Sequence, residues 1–244
     1  MKFDIITIFP EIFGSYFNES ILKRAQKNNL IEIKIHNLRD FTLDKHKTTD
    51  DTPYGGGAGM VMKIEPIHRA INVIKLQITN LKSQTLPTGR QVNFKSKISN
   101  SKQKIRTILF SAKGKKYTQS DAKRLSKYDN LIFICGRYEG VDERVAKYLA
   151  DEEISVGDFV LTGGEIPAMI LVDSISRLLP GVLGNSESTK NESHNSKNYL
   201  EHSQYTKPEK FLNWKVPKVL LSGNHKKIEE WRKKNSKFKA SNYK

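Results

Sequence analysis

Cysteine is almost missing from this chain. Cys135 is the only one in 244 residues, which excludes an internal disulfide framework and a cysteine-rich metal site. Placed in the apolar run Leu131–Cys135, it reads as a core side chain. The six histidines have no metal-ligand spacing, so no metal site is expected. Long hydrophobic runs are lacking as well: no segment reaches the ~18 consecutive apolar residues of a membrane span. The opening MKFDIITIFP is too short and too acidic for a signal peptide, so a cytoplasmic location without a membrane partner is expected. Common nucleotide and nucleophile signatures are absent too. No Gly-Lys-Ser/Thr follows the glycines at 55–57, no G-x-G-x-x-G opens a helix after a strand, and no serine sits in a nucleophile elbow.

Acidic residues are scarce and unevenly placed. The chain carries 42 Lys/Arg against 26 Asp/Glu, a net charge of +16. Residues 71–133 hold fourteen basic and two acidic side chains, and residues 170–244 hold fifteen and seven. Between them, Ile134–Met169 reverses the sign with eight acidic against three basic, and it contains glycines 136, 140, 157, 163 and 164. The basic regions point to a polyanionic partner, nucleic acid, and the acidic stretch to a small ligand that carries positive charge. Glycine lets backbone approach a ligand closely or take positive φ. Glycine turns at the ends of buried strands are where α/β folds bind cofactors.

Periodicity supplies the elements. Strands are expected at Phe3–Ile8, Ile31–His36, Arg106–Ser111, Leu131–Cys135 and Ser155–Leu161. Helices are expected at Glu11–Lys27, Glu65–Leu76, Thr118–Lys127, Val141–Leu149, Pro167–Leu178 and His225–Lys237. Strands alternating with helices predict an α/β domain with a largely parallel sheet over 1–184. Gln77–Lys104 has no acidic residue and reads as a flexible basic insertion; Asn185–His202 is polar and aperiodic. Residues 203–244 read as a small helical C-terminal appendage.

The motifs carry a family resemblance. His46–Met60 (HKTTDDTPYGGGAGM), Cys135–Arg144 (CGRYEGVDER) and Ser155–Glu165 (SVGDFVLTGGE) closely resemble the bacterial tRNA (guanine-N1)-methyltransferase family TrmD, joined by Pro180–Gly184, Tyr205–Pro208 and Leu220–His225. Only Gln77–Lys104 and Asn185–His202 match poorly before about Trp231. The resemblance implies methylation of N1 of guanosine 37 in tRNA with S-adenosylmethionine as donor. It also implies a homodimer of the SPOUT fold, whose C-terminal part is threaded into a trefoil knot. Another SPOUT RNA methyltransferase, or an RNA-binding homologue with impaired catalysis, is the alternative.

Carried over by position, the resemblance places the cofactor on Phe110, Ser111 and Ala112, on Gly136, Tyr138, Glu139 and Gly140, and on Val156, Gly157, Asp158, Phe159, Val160, Leu161, Gly163 and Gly164. Glu139 and Asp158 would lie near the sulfonium. The substrate would meet Asp50, Tyr54, Gly55, Gly59 and Arg137. N1 of guanine carries a proton at neutral pH, so the reaction needs a base at N1 and a donor for the charge that builds on O6. By position, Arg177 would hold O6. The family's base is an aspartate after Pro-Gly-Val-Leu-Gly; no Asp follows Asp173 here, and the position falls on Glu192, with Glu187 and His194 as competitors. The chain also has Ser111-Ala112-Lys113-Gly114 where the family usually has Ser-Pro-Gln-Gly, and a shorter C-terminal tail than many members. Whether Mg2+ assists is not readable from these motifs.

Overall fold

The computed structural model describes residues 1–79, 103–184, 192–194 and 199–237. Most of the expected insertion (80–102) and most of the expected loop (185–191 and 195–198) therefore lie outside the described residues. The chain divides into two compact units, Met1–Leu183 and Gly184–Lys244.

The first unit is built on a five-stranded parallel sheet. Its strands are β1 (Lys2–Thr7), β2 (Glu32–Asn37), β5 (Ile105–Lys116), β6 (Asn130–Ile134) and β7 (Glu152–Ser155), in the order β2-β1-β6-β5-β7. β3 (Asp50–Asp51) and β4 (Val61–Met62) form a separate antiparallel pair. Side chains alternate across the sheet, and both faces are covered. Phe3, Ile5, Leu131, Phe133, Ile108 and Phe110 point to one face. There they meet α2 (Ser20–Lys27), α4 (Gln119–Leu125) and α5 (Glu165–Ser176). Ile6, Ile132, Ile134 and Leu109 point to the other, against α3 (Ile64–Ile78) and the π-helical turn Val145–Leu149. Both faces being buried is why the central strand β6 reads as a continuous apolar run, while the edge strand β2 alternates.

Local chemistry sets the helix ends. Thr118 and Asp121 form a reciprocal capping box at the start of α4. α2 ends at Asn28, and Asn29 follows at φ +57°. α3 is a fifteen-residue amphipathic helix whose buried side is Ile67, Ala70, Ile71 and Ile74.

Three expected elements differ. The single helix Glu11–Lys27 is instead a 3-10 turn (Pro10–Phe13), the short helix α1 (Gly14–Phe17), and α2, broken at Asn18–Ser20 where Glu19 is extended and Ser20 has φ +48°. The helix expected from Val141 becomes helical only at Glu143, because Val141 pairs with Met62 in a β-bridge. The strand expected at Ser155–Leu161 lies earlier, at β7, and ends at Ser155, whose hydroxyl donates to Gly157 O at 2.9 Å and turns the chain away. Its apolar residues misled the periodicity, and they lie in a loop.

The second unit holds a two-residue hairpin of β8 (Lys210–Phe211) and β9 (Trp214–Lys215), then α6 (Lys218–Leu221) and α7 (His225–Lys237). Asn224 caps α7, its Oδ1 accepting from Lys227 N at 3.1 Å. The Trp231 ring of α7 lies 6.1 Å from His202 and 6.3 Å from Tyr205.

Candidate functional site

In a parallel sheet the loops after the strands gather at one edge, and ligands bind there. Three such loops converge here. The first is a bulge inside β5: Phe110 and Lys115 both pair with Ile154, so Ser111–Gly114 leaves the sheet as a four-residue excursion. The second follows β6 (Cys135–Gly140) and the third follows β7 (Val156–Gly164). They enclose a cleft of about 270 Å³, near the lower end of small-molecule sites. Phe110, Ser111, Ala112, Gly136, Arg137, Tyr138, Glu139, Gly140, Val156, Phe159, Val160, Leu161, Gly163 and Gly164 all line it.

Close backbone approach explains two of the glycines. A Cβ on Gly164 would stand 2.6 Å from Cys135 Cα, and one on Gly114 2.6 Å from Ile154 N. Gly164 N donates to Gly136 O at 2.9 Å, which locks the second loop to the third. Tyr138 has φ +61°, in the left-handed region, on the loop that lines the cleft.

A buried carboxylate organises the site. Glu165, 1% exposed in the first turn of α5, accepts from Thr7 Oγ1 at 2.8 Å and from Arg137 Nε at 2.9 Å. Arg137 also donates to Thr162 O at 3.3 Å and lies 4.7 Å over the Phe9 ring. The end of β1 and the loops after β6 and β7 are thus tied through one ion pair. Sequence reasoning missed Thr7 and Glu165; a carboxylate directly after Gly163-Gly164 at a helix start was the available signal. Lys113, Val141, Glu143, Ala146, Glu153, Ile154, Ser155, Thr162 and Pro167 were also missed as lining residues. The lining carries three carboxylates, Glu139, Glu143 and Glu153, against Lys113 and Arg137, with Lys113 3.5 Å from Glu143. Burial and the Glu165 charge push the Cys135 thiol well above its usual range, so it is an inert core group.

The loop Tyr54–Met60 is stitched to the same edge. Glu139 N donates to Met60 O at 3.0 Å, Met62 N to Gly140 O at 2.9 Å and Asp142 N to Met62 O at 3.0 Å. Gly59, at φ +84°, packs its Cα side against the Glu139 side chain. Gly55 has φ +86°, and Tyr54 is fully exposed. Asp50 pairs with Met62 in the β3–β4 ladder and accepts from Thr49 Oγ1 at 3.2 Å.

Other expected residues are not gathered at the cleft. Gly157 and Asp158 are outside its lining, and Asp158 pairs with Lys116 at 2.7 Å with its side chain 87% exposed. Arg177 caps the C-terminus of α5, its N–H bonded to Asp173 O at 3.2 Å. Glu192 is half-buried in the second unit, and His194 N donates to Tyr199 O at 2.7 Å there. Glu187 lies outside the described residues. Among the described residues, no group of three His, Cys, Asp or Glu side chains is placed to hold a metal ion.

Known proteins resemble the chain over its whole length. The family described as tRNA (Guanine-1)-methyltransferase TrmD matches residues 1–244. A tRNA (guanine-N(1)-)-methyltransferase of Dehalococcoides mccartyi is 49% identical over 236 residues, 97% of this chain and 86% of the relative. One of Clostridioides difficile is also 49% identical, over 97% of this chain and 92% of its own length. The crystal structure of the tRNA (m1G37) methyltransferase from Aquifex aeolicus superimposes with a TM-score of 0.70 and 37% identity, covering 95% of this chain and 87% of that one.

Proposed function

Since the chain belongs to the tRNA (guanine-1)-methyltransferase family TrmD, we propose how it performs its reaction, the methylation of N1 of guanosine 37 in tRNA. The chain is a tRNA (guanine-N1)-methyltransferase. The observation that carries the site assignment is the convergence of three glycine-bearing loops on one cleft with carboxylates in its wall.

The cleft fits S-adenosylmethionine. The loop backbone approaches without side chains at Gly136, Gly163 and Gly164; Phe110, Val156, Phe159, Val160 and Leu161 supply apolar wall, and Glu139 suits a cation. When bound, the cofactor supplies an electrophilic methyl group and leaves as a neutral thioether. The protein's share is positioning and proton management. By their positions in the family motifs, Glu192 would accept the N1 proton and the Arg177 guanidinium would donate to O6 where charge builds. Arg137, fixed by Glu165 and Phe9, holds the loops in register. For Mg2+ the described residues offer no ligand cluster, and no step is assigned to it.

The reading includes a homodimer. Its support is an exposed apolar strip in the first unit: Phe9, Ile12 and Tyr16 lie beside Ile166 and Ile170 of α5, and the Tyr16 hydroxyl donates to Asp173 on the same helix face. That bond, with partial burial, pushes Tyr16 up to about 12. The reading also includes the trefoil threading and the cytoplasmic location that the family resemblance implies; among the described residues no helix is long and apolar enough to cross a membrane. Residues 203–244 would serve as a tRNA-binding appendage.

Methyl transfer to an unmodified tRNA transcript, mapped by primer extension, tests the assignment. The stop must fall at G37 and vanish when G37 is replaced. Glu192→Gln should lower the rate at least ~10²-fold with cofactor affinity unchanged, and Glu192→Asp should retain activity. A Gln variant that turns over normally removes Glu192 from the base position.

A further inference from the structure

The second unit exposes an aromatic pair that its own packing does not explain. Phe211 and Trp214 face each other across the β8–β9 hairpin, ring centroids 5.9 Å apart at 40°. Directly opposed residues share a face, so both rings project from the same side of the ladder. Phe211 is 58% exposed and Trp214 70%, and Leu212 at the turn between them is 68% exposed. Lys210 and Lys215, the next opposed pair, project from the other side. Lys218 follows within three residues, also exposed. Residues 203–244 carry twelve Lys/Arg and three Asp/Glu.

Cross-strand aromatic contact contributes to hairpin stability, but that role would be met by rings buried against the unit. These two are mostly open, in a unit where residues 203–244 carry twelve Lys/Arg against three Asp/Glu. Flat, open rings beside lysines are how proteins hold unpaired nucleobases: the base stacks on the ring and the adjoining phosphates meet the ammonium groups. A second protein surface is less suited, because interface cores are depleted in lysine. We infer that the Phe211–Trp214 face of this hairpin is a stacking platform for an unpaired nucleobase of the tRNA substrate, with Lys218 and other cations of this basic unit on the neighbouring phosphates. This inference rests on the tRNA reading and names residues for it.

The chain's two tryptophans make the test direct. In full-length protein carrying Trp231→Phe, Trp214 is the sole tryptophan and is excited selectively at the red edge, and Phe keeps an aromatic ring where His202 and Tyr205 make contact. A tRNA transcript is expected to quench its emission in a saturable way, and a blunt RNA duplex of equal length is not. Trp214→Val keeps a strand-forming residue and removes the ring, so transcript affinity should fall about tenfold or more. KM for tRNA should rise with kcat and S-adenosylmethionine affinity unchanged, and Trp214→Phe should recover most of the loss. Transcript binding that leaves Trp214 emission unaltered overturns the inference. So does a Trp214→Val protein with parental affinity, or one that loses only self-association, which would assign the face to a contact between copies. If Trp214→Val fails to fold, the emission titration decides alone. A wild-type chain that methylates no tRNA would sink the underlying assignment; one that methylates while Trp214→Val binds normally sinks only the platform.

Discussion

Gly164→Ala should cripple the cleft while leaving the sheet intact. Gly164 has φ −82° and ψ −2°, a conformation open to any residue, so the substitution carries no backbone penalty. Its whole effect is steric. The added methyl would stand 2.6 Å from Cys135 Cα, 3.1 Å from Gly136 N and 3.2 Å from Cys135 C, all main-chain atoms at the end of β6. Reaching ordinary contact requires α5 or the loop after β6 to move by about 0.8 Å. Overpacking of this kind costs ~1–3 kcal/mol, a fall in melting temperature of roughly 2–12 °C for a protein of this size. The larger effect is functional, since ~1 Å of misplacement can cost around 10²-fold in rate. Calorimetric titration with S-adenosylmethionine should show affinity reduced at least tenfold, and methyl transfer should fall about 10²-fold. Gly14→Ala is the control. The nearest atom to its new Cβ is Asn18 Nδ2 at 3.8 Å and its φ is −58°, so it should be neutral or slightly stabilising. If Gly164→Ala binds the cofactor as tightly as the parent, the loops are not a rigid cradle and the close-approach reasoning is wrong.

Three further outcomes are expected. Glu165→Gln removes the charge beside Arg137 but keeps an acceptor for Thr7, so cofactor affinity should drop several-fold, with a stability loss of about 1–3 kcal/mol by denaturant titration; an unaltered protein would show the ion pair to be idle. Transcript affinity should fall steeply from 50 to 200 mM salt, since several Lys/Arg neutralise phosphates; a flat response would refute the electrostatic reading. Ile166→Glu places a charge in the exposed apolar strip and should give monomers by sedimentation with methyl transfer abolished; a fully active monomer would rule out the shared dimer.

What was legible in the sequence follows the range of the interactions involved. Strand β6 could be read because a strand buried on both faces demands an unbroken apolar run, and Phe133 and Ile134 each find a core on their own side, whereas β1 and the edge strand β2 could be read by their alternation. Thr118 was legible as a start because its cap is closed by Asp121, three residues on. Glu165 was not, because its meaning depends on Thr7 and Arg137, 158 and 28 residues away. The helix break at Ser20 was hidden for a related reason: Ile12, Tyr16, Ile21 and Leu22 keep a helical spacing through it, and only the positive φ shows the turn.

The misplaced strand is the most instructive of these departures. Phe159-Val160-Leu161 looked like a buried strand because three apolar residues in a row usually mean one. In the fold Phe159 is 56% and Val160 87% exposed, at the mouth of the cleft. Apolar side chains cannot be held in the open without cost, about 25 cal/mol for each Å² left in water. The chain keeps them there between Gly157 and Gly163, where an added Cβ would meet the Phe159 ring and the Arg137 side chain. A partner must recover that area, and in the proposed reading it is the cofactor. An apolar run bracketed by glycines therefore carries two signals at once: the glycines mark where neighbouring side chains press on the backbone, and the run marks what the loop is for.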